Sequence, residues 1–116
     1  MGEVSKLTHQ IIKQEDALII LLQGSVDCTQ AARLTEILKT GREESKPKRM
    51  ILNMTEVAYV DSSGLGVLVA ERSRAVRAGI DFSLCGMGGE VKKVFHLAHL
   101  DRLFQIFASQ EEALQG

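Results

Sequence analysis

Asp61-Ser62-Ser63-Gly64-Leu65-Gly66 sets a carboxylate, two hydroxyls and two glycines in consecutive positions. The run follows an extended stretch, Val57 to Val60, and precedes a helical one, so it occupies a strand-to-helix turn. In open α/β sheets the carboxyl ends of strands are where ligand sites open. The first N–H groups of a helix have no intrahelical partner, and the helix dipole is positive there. A phosphate on Ser62 or Ser63 would therefore meet donors already in place. The chemistry suggested is modification of a hydroxyl at a contact surface. Gly64 and Gly66 leave room for a partner's nucleotide to approach, and Leu65 between them is expected as an exposed apolar contact. The same residue types also serve a plain structural purpose, because Asp and Ser are preferred N-caps of any helix.

Other chemistries fit less well. A hydrolase elbow needs glycine two residues before and two after its serine, and neither Ser62 nor Ser63 has both. Gly64-Leu65-Gly66 and Gly86-Met87-Gly88-Gly89 begin like dinucleotide loops but lack the third glycine at the required spacing, and no Gly-Lys-Ser/Thr follows. His96 and His99 lack the further ligands that a zinc site takes. Arg72, Arg74 and Arg77 read as a solvated helix face open to an acidic partner. Cys28 and Cys85 read as buried small hydrophobes. Met54 reads as core filler, and Met87 is a candidate for the docking surface. No catalytic set, metal or cofactor is expected.

The elements that must position the turn follow from periodicity. Leu7 to Leu22 reads as two strands around Gln14-Glu15-Asp16, the second being the apolar run Ala17 to Leu22. Gly24 to Asp27 reads as a turn. Ala31, Leu34, Ile37 and Leu38 mark a helix capped by Asp27 or Thr29 and dissolving in Gly41 to Pro47. Met50 to Met54 restarts the extended chain, and Val57 to Val60 carries it to the turn. Leu65, Leu68, Val69 and Val76 place a stripe on a helix from Ser63 to Ala78, with Glu71, Arg74 and Arg77 outside it. Gly79 closes that helix as a left-handed cap. Ile80 to Cys85 is a strand, and Val91, Val94, Phe95 and Ala98 form one face of a third helix. A strand from Leu103 to Phe107 and a Ser109/Glu112 capping box opening a last helix complete the chain. The order ββαβαβαβα implies one α/β domain over residues 1–116, with a mixed sheet whose later strands run parallel.

Composition narrows the partners. The chain has 116 residues, 45% hydrophobic and 25% charged, with a formal net charge of -1. That balance fits one soluble core and exerts no general pull on phosphate backbones or anionic lipid, so nucleic acid is not an expected partner. One Tyr, four Phe and no Trp offer little surface for stacking on bases or sugars. The longest aliphatic stretch, Ala17 to Leu22, is far short of a membrane span. Two separated cysteines and no signal peptide indicate a reduced cytoplasm.

The chain resembles the STAS domains, and more narrowly the bacterial anti-sigma factor antagonists. The resemblance rests on Gly24-Ser-Val-Asp27, Asp61-Ser-Ser-Gly-Leu-Gly66, Gly79 before Ile80 to Cys85, Val91 to Phe95, and Leu100-Asp-Arg-Leu-Phe104, in the family's order over nearly the whole chain. It departs at Gly88-Gly89, where many relatives carry Ser-Pro, and at His99, near where they carry glycine. The resemblance implies that Ser62 is phosphorylated by an ATP-bound serine kinase that doubles as the anti-sigma factor, and restored by a phosphoprotein phosphatase. Ser63 is then the neighbouring hydroxyl, Asp61 the acid that sets the turn's conformation, and Asp27 the acid of a loop bordering the docking surface. Gly64, Leu65, Gly66 and Met87 complete the implied contact set. Two other uses of the fold are a fixed subunit, in a lipid-transport ATPase or a stress-signalling scaffold, and a sensor that binds a nucleotide or lipid at the turn.

Overall fold

A computed structural model describes residues 6–116. Of the domain expected over residues 1–116, residues 1–5 therefore lie outside the described residues. The elements run β1 (Thr8–Gln14), β2 (Ala17–Val26), α1 (Ala31–Ser45), β3 (Arg49–Val60), α2 (Ser62–Arg77), β4 (Asp81–Cys85), α3 (Gly89–Leu97), β5 (Gln105–Phe107) and α4 (Gln110–Gln115). The five strands form one sheet in the order β1-β2-β3-β4-β5. β1 is antiparallel to β2, and every later neighbour is parallel. The expected mixed α/β architecture is the observed one.

Strand pleat divides the sheet into two faces. Leu18, Ile20, Leu22, Met50, Leu52, Met54 and Leu84 point to the larger core, which α1, α2 and α3 cover with Leu34, Leu38, Leu65, Leu68, Val91 and Phe95. Ile19, Ile51 and Cys85 point the other way and meet Ala113 of α4. β2 and β3 are thus buried on both faces, which is why Leu18-Ile19-Ile20 and Met50-Ile51-Leu52 are unbroken apolar runs. Arg49 holds α4 from below, donating to the carbonyls of Ala113 and Leu114.

Several sequence expectations need correction. Gly24 to Asp27 is not a free turn. β2 continues to Val26, and the register slips between Gly24 and Ser25, with Gly24 at φ 113°. Gly41 does not end α1, which runs on to Ser45. A Cβ at Gly41 would stand 2.9 Å from Leu18 Cδ2 and 3.4 Å from Ile20 Cδ1, so this glycine lets the helix approach the sheet. The N-cap of α1 is Gln30, with no side-chain cap bond. Val76 is 60% exposed, whereas Glu71 is buried at 1% and takes its place on the stripe. Glu71 accepts from Arg42 of α1, at 2.8 Å from Nε and 3.4 Å from Nη2. Cys28 is exposed, while Cys85 is buried as expected.

Two helix ends share one solution. The N–H of Ile80 donates to the carbonyl of Ala75 (2.8 Å) and that of Gly79 to Val76 (3.1 Å), with Gly79 at φ 73°. Leu100 donates to Phe95 (2.9 Å) and His99 to His96 (3.0 Å), with His99 at φ 58°. Both are paired caps around a left-handed residue. His99 thus adopts the left-handed conformation that favours glycine. At α4, Ser109 Oγ accepts from Glu112 N at 3.2 Å as expected, but the Glu112 carboxylate accepts from the N–H of Ala108, the residue before the N-cap, instead of from that of Ser109.

Candidate functional site

The site is built where β3 gives way to α2. Asp61 is the N-cap, in an extended conformation, and Ser62 is the first helical residue. Its carboxylate divides between two donors: Oδ1 accepts from Gly64 N at 3.1 Å, and Oδ2 accepts from Cys28 N at 3.1 Å. The backbone of Asp61 adds a third tie, its N–H donating to the carbonyl of Val26 at 3.1 Å. One acid thus caps α2 and fastens it to the loop between β2 and α1. That loop is itself shaped by Asp27, whose Oδ1 accepts from Thr29 N (3.0 Å) and Thr29 Oγ1 (2.6 Å). Sequence periodicity offers Asp27 and Asp61 only as separate caps, and the fold brings their two loops side by side.

The Ser62 side of the turn faces solvent. Ser62 and Gly66 are exposed, and Asp27, Asp61 and Ser63 are half-buried. Leu65 does not present the exposed apolar contact expected of it. It is 7% exposed and belongs to the main core, because the turn of α2 after the cap rotates it toward the sheet. Gly64 is likewise buried, and a Cβ there would collide with the carbonyl oxygen of Val26 and stand 2.5 Å from its Cγ1. Its missing side chain serves close packing of α2 on β2 and leaves no opening for a nucleotide. Gly66 is different, since nothing lies within 4 Å of a Cβ placed there. Met87 is 6% exposed and in the core, so its side chain does not form the outer surface either.

Electrostatically the turn is a mixed site. The N–H groups of Ser62 and Ser63 lie in the first turn of α2, where no intrahelical acceptor exists for them. The Gly64 N–H, by contrast, is already taken by Asp61. A phosphate on Ser62 would gain the positive helix end yet lie beside the Asp61 carboxylate. Its capacity is therefore to add repulsive charge to a surface whose backbone is held rigidly from beneath. A groove of about 310 Å³ is lined by Met87 with Lys92, Phe95, His96, Asp101 and Ile106. His96 pairs with Asp101 at 3.0 Å instead of with His99, and that contact lowers the Asp101 carboxyl below its ordinary range. Among the described residues no three His, Cys, Asp or Glu side chains cluster closely enough to hold a metal ion, and no helix is long and apolar enough to cross a membrane.

Sequence reading missed the Arg42–Glu71 pair, which joins α1 to α2 behind the site. The available signal was spacing: Glu71 stands three residues after Leu68 and four before Ala75, both buried. A charged residue on that stripe requires a partner.

Comparison with known proteins gives the same picture at the level of the family. RsfB, an anti-sigma-F factor antagonist of Mycobacterium tuberculosis, is 23% identical over 116 residues, covering 100% of this chain and 93% of RsfB. BtrV of Bordetella bronchiseptica, named a putative anti-sigma factor antagonist, is 30% identical over 103 residues, 87% of this chain and 86% of BtrV. The crystal structure of an anti-sigma factor antagonist from Mycobacterium paratuberculosis superposes with a TM-score of 0.88 at 18% identity, covering 99% of this chain and 97% of that one. SpoIIAA of Bacillus in its phosphorylated form gives 0.70 at 20% identity, over 93% and 97%. A sulfate transporter family protein from Wolinella succinogenes gives 0.77 at 20% identity, over 90% and 86%, so the fold is shared across differing contexts. The model of the STAS domain matches residues 9–113, and the chain belongs to that family.

Proposed function

We propose that this chain is an anti-sigma factor antagonist acting by partner switching. In its unmodified form the Ser62 surface docks on an ATP-bound anti-sigma factor serine kinase in the cytoplasm, and the sigma factor is released. The kinase then transfers the γ-phosphoryl group of ATP to Ser62 Oγ. The P–O bond to the β-phosphate breaks, ADP leaves, and the hydroxyl proton is lost. A phosphoprotein phosphatase reverses the modification by hydrolysis. The observation that carries this reading is Ser62 itself, an exposed hydroxyl at the first helical position beside the Asp61 cap and the Asp27 loop. The names of RsfB and BtrV, and the existence of SpoIIAA in a phosphorylated form, support it.

The energetics suit a switch. A phosphate adds about 1.5 to 2 negative charges. Placed beside Asp61 in a docked interface without a matching cation, a desolvation cost of about 3 kcal/mol is enough to weaken binding roughly a hundredfold. Asp27, Asp61, Ser63 and Gly66 form the outer contact set. Gly64, Leu65 and Met87 act from beneath by fixing the shape of that surface.

The test is direct. The kinase is recovered by co-purification from the native host, then incubated with the chain and ATP, and the modified residue is mapped by mass spectrometry. Phosphate is expected on Ser62, with Ser62→Asp binding the kinase at least tenfold more weakly than Ser62→Ala. Equal binding of the two variants overturns the switch. It would favour the other use of the fold, a fixed subunit of a lipid-transport complex or signalling scaffold, a reading supported by the fold-level likeness to a sulfate transporter family protein.

A further inference from the structure

The sheet has two edges, and they are built differently. β5 is a strand of three residues, short enough to offer little to another chain. β1 has seven residues, Thr8 to Gln14, with no proline, no acidic residue and an unbroken register against β2. Ile11 and Ile12 are 43% and 41% exposed on its opposite faces. An edge that is long and regular, with exposed isoleucines at its centre and Lys13 as its single charged residue, can template pairing with another strand.

The hydrogen-bonding phase of β1 follows from its hairpin. The two-residue turn Glu15-Asp16 closes on Gln14 opposite Ala17, so Gln14, Ile12, Gln10 and Thr8 direct their backbone groups to β2. His9, Ile11 and Lys13 direct theirs outward. The same three side chains face α1, since their partners Leu22, Ile20 and Leu18 lie in the main core. Between β1 and α1 runs a groove of about 370 Å³, with Ile11, Leu18, Ile37 and Gly41 among its apolar lining and Glu36 and Glu44 as acidic members.

We propose that β1 is a self-association edge: two copies pair their β1 strands antiparallel about a two-fold axis at Ile11, so that two five-stranded sheets become one. The strand is self-complementary in that register. Ile11 meets Ile11 of the second copy, His9 meets Lys13, Thr8 meets Gln14, and Gln10 meets Ile12, with no like-charged carboxylates opposed. All three outward residues then exchange backbone bonds, and each Ile11 is covered over the apolar end of the groove. On the opposite face the two Ile12 side chains become diagonal neighbours across the pair. Lys13 of the second copy arrives beside His9, with Glu36 on the groove wall and Arg33 engaged by the carbonyl of Leu7 at 2.7 Å. His9 is held below the ordinary imidazole range by burial and by Arg33, so Lys13 faces a neutral ring. The Ser62 turns lie at opposite ends of the joined sheet and stay open, so the pairing is independent of the proposed switch.

Sedimentation of the full chain from about 10 to 500 µM tests this. The mass is expected to rise from 12.7 kDa toward twice that value. Ile11→Pro should remain monomeric with an unchanged far-UV spectrum, because its N–H points outward and an edge tolerates proline. In a Cys28→Ser background, Ile11→Cys should cross-link under mild oxidation, since directly opposed bonded residues stand about 5.5 Å apart, within disulfide reach. Glu111→Cys should not cross-link. A constant 12.7 kDa, or cross-linking no greater than that of Glu111→Cys, overturns the proposal and leaves the edge for an extended segment of another protein. A dimer that persists in folded Ile11→Pro also overturns it.

Discussion

The carboxylate of Asp61 accepts the backbone N–H of Cys28 at 3.1 Å, a bond between the start of α2 and a loop 33 residues earlier in the chain. With its other oxygen on Gly64 N, the same side chain sets the first turn of the helix that carries Ser62. The exposed hydroxyl is therefore placed by an acid half-buried beneath it. The proposed phosphate on Ser62 would add charge to this fixed geometry, the condition under which it could change docking without unfolding the domain.

Removing that acid should show both functions. Asp61→Ala loses the cap and leaves the Cys28 N–H without its acceptor, and is expected to cost about 1 to 2 kcal/mol in urea unfolding. Asp61→Asn keeps an acceptor oxygen for one of the two donors and should cost roughly half as much. Equal stability of Asp61→Ala and the unaltered chain would remove Asp61 from this positioning role.

Gly64 and Gly66 are two residues apart and should answer oppositely to the same substitution. Gly64→Ala drives a methyl group into the Val26 backbone and is expected to destabilise by about 1 to 3 kcal/mol. Gly66→Ala meets open space in a helix, where alanine is favoured by about 0.5 to 1 kcal/mol, so stability should be kept or raised. Thermal unfolding measures both. Loss of binding to the proposed kinase partner in Gly66→Ala, with stability intact, would then report the contact surface alone.

Sequence pattern carried the order of elements because the β2 and β3 runs and the α3 stripe obey simple periods. It misplaced residues wherever close approach outweighed local preference. Gly41 reads as a breaker, yet tertiary packing on Leu18 and Ile20 keeps it helical. Gly24 reads as a turn, yet the slip in register absorbs it within a strand. At the candidate site, the Asp61 to Gly66 run pointed to Asp61 and Ser62, and the resemblance pointed to Asp27 from a separate segment. Neither could orient Leu65 or Met87, because which side faces the core depends on how α2 packs on β2 for Leu65 and on the path of the chain from β4 to α3 for Met87. The link between Asp61 and the Cys28 N–H lies between distant segments and has no local signature.

The Arg42–Glu71 pair gives a stability prediction away from the site. Glu71 is 1% exposed and its side chain is held by Arg42, which is itself mostly covered. Glu71→Ala leaves the mostly covered Arg42 guanidinium with only the exposed Glu43 carboxylate, at 3.7 Å, and should cost about 2 to 3 kcal/mol. Arg42→Met combined with Glu71→Leu replaces the pair by apolar volume and should cost less than Glu71→Ala alone. A double-mutant cycle in guanidinium chloride checks this. Additive losses would mean that the two side chains stabilise the helices independently.

Alkaline stability should depend on Cys85. Burial against Ile19, Ile51 and Ala113 pushes its thiol from 9.0 to about 11. Below about pH 9 both folded and unfolded chains keep the proton, and this group has no effect. Between 9 and 11 the unfolded chain ionises while the folded one does not, so protons are bound more by the folded state and stability must fall as pH rises. The loss from this group reaches about 2 to 3 kcal/mol by pH 11. The measurement is the difference between the unaltered chain and Cys85→Ala in urea unfolding at pH 7.5 and 10.5. Cys85→Ala leaves a cavity and should be the less stable at pH 7.5, with the gap narrowing at pH 10.5 by about 1 to 2 kcal/mol. A gap that stays constant would mean that the buried thiol ionises as readily in the folded chain as in the unfolded one.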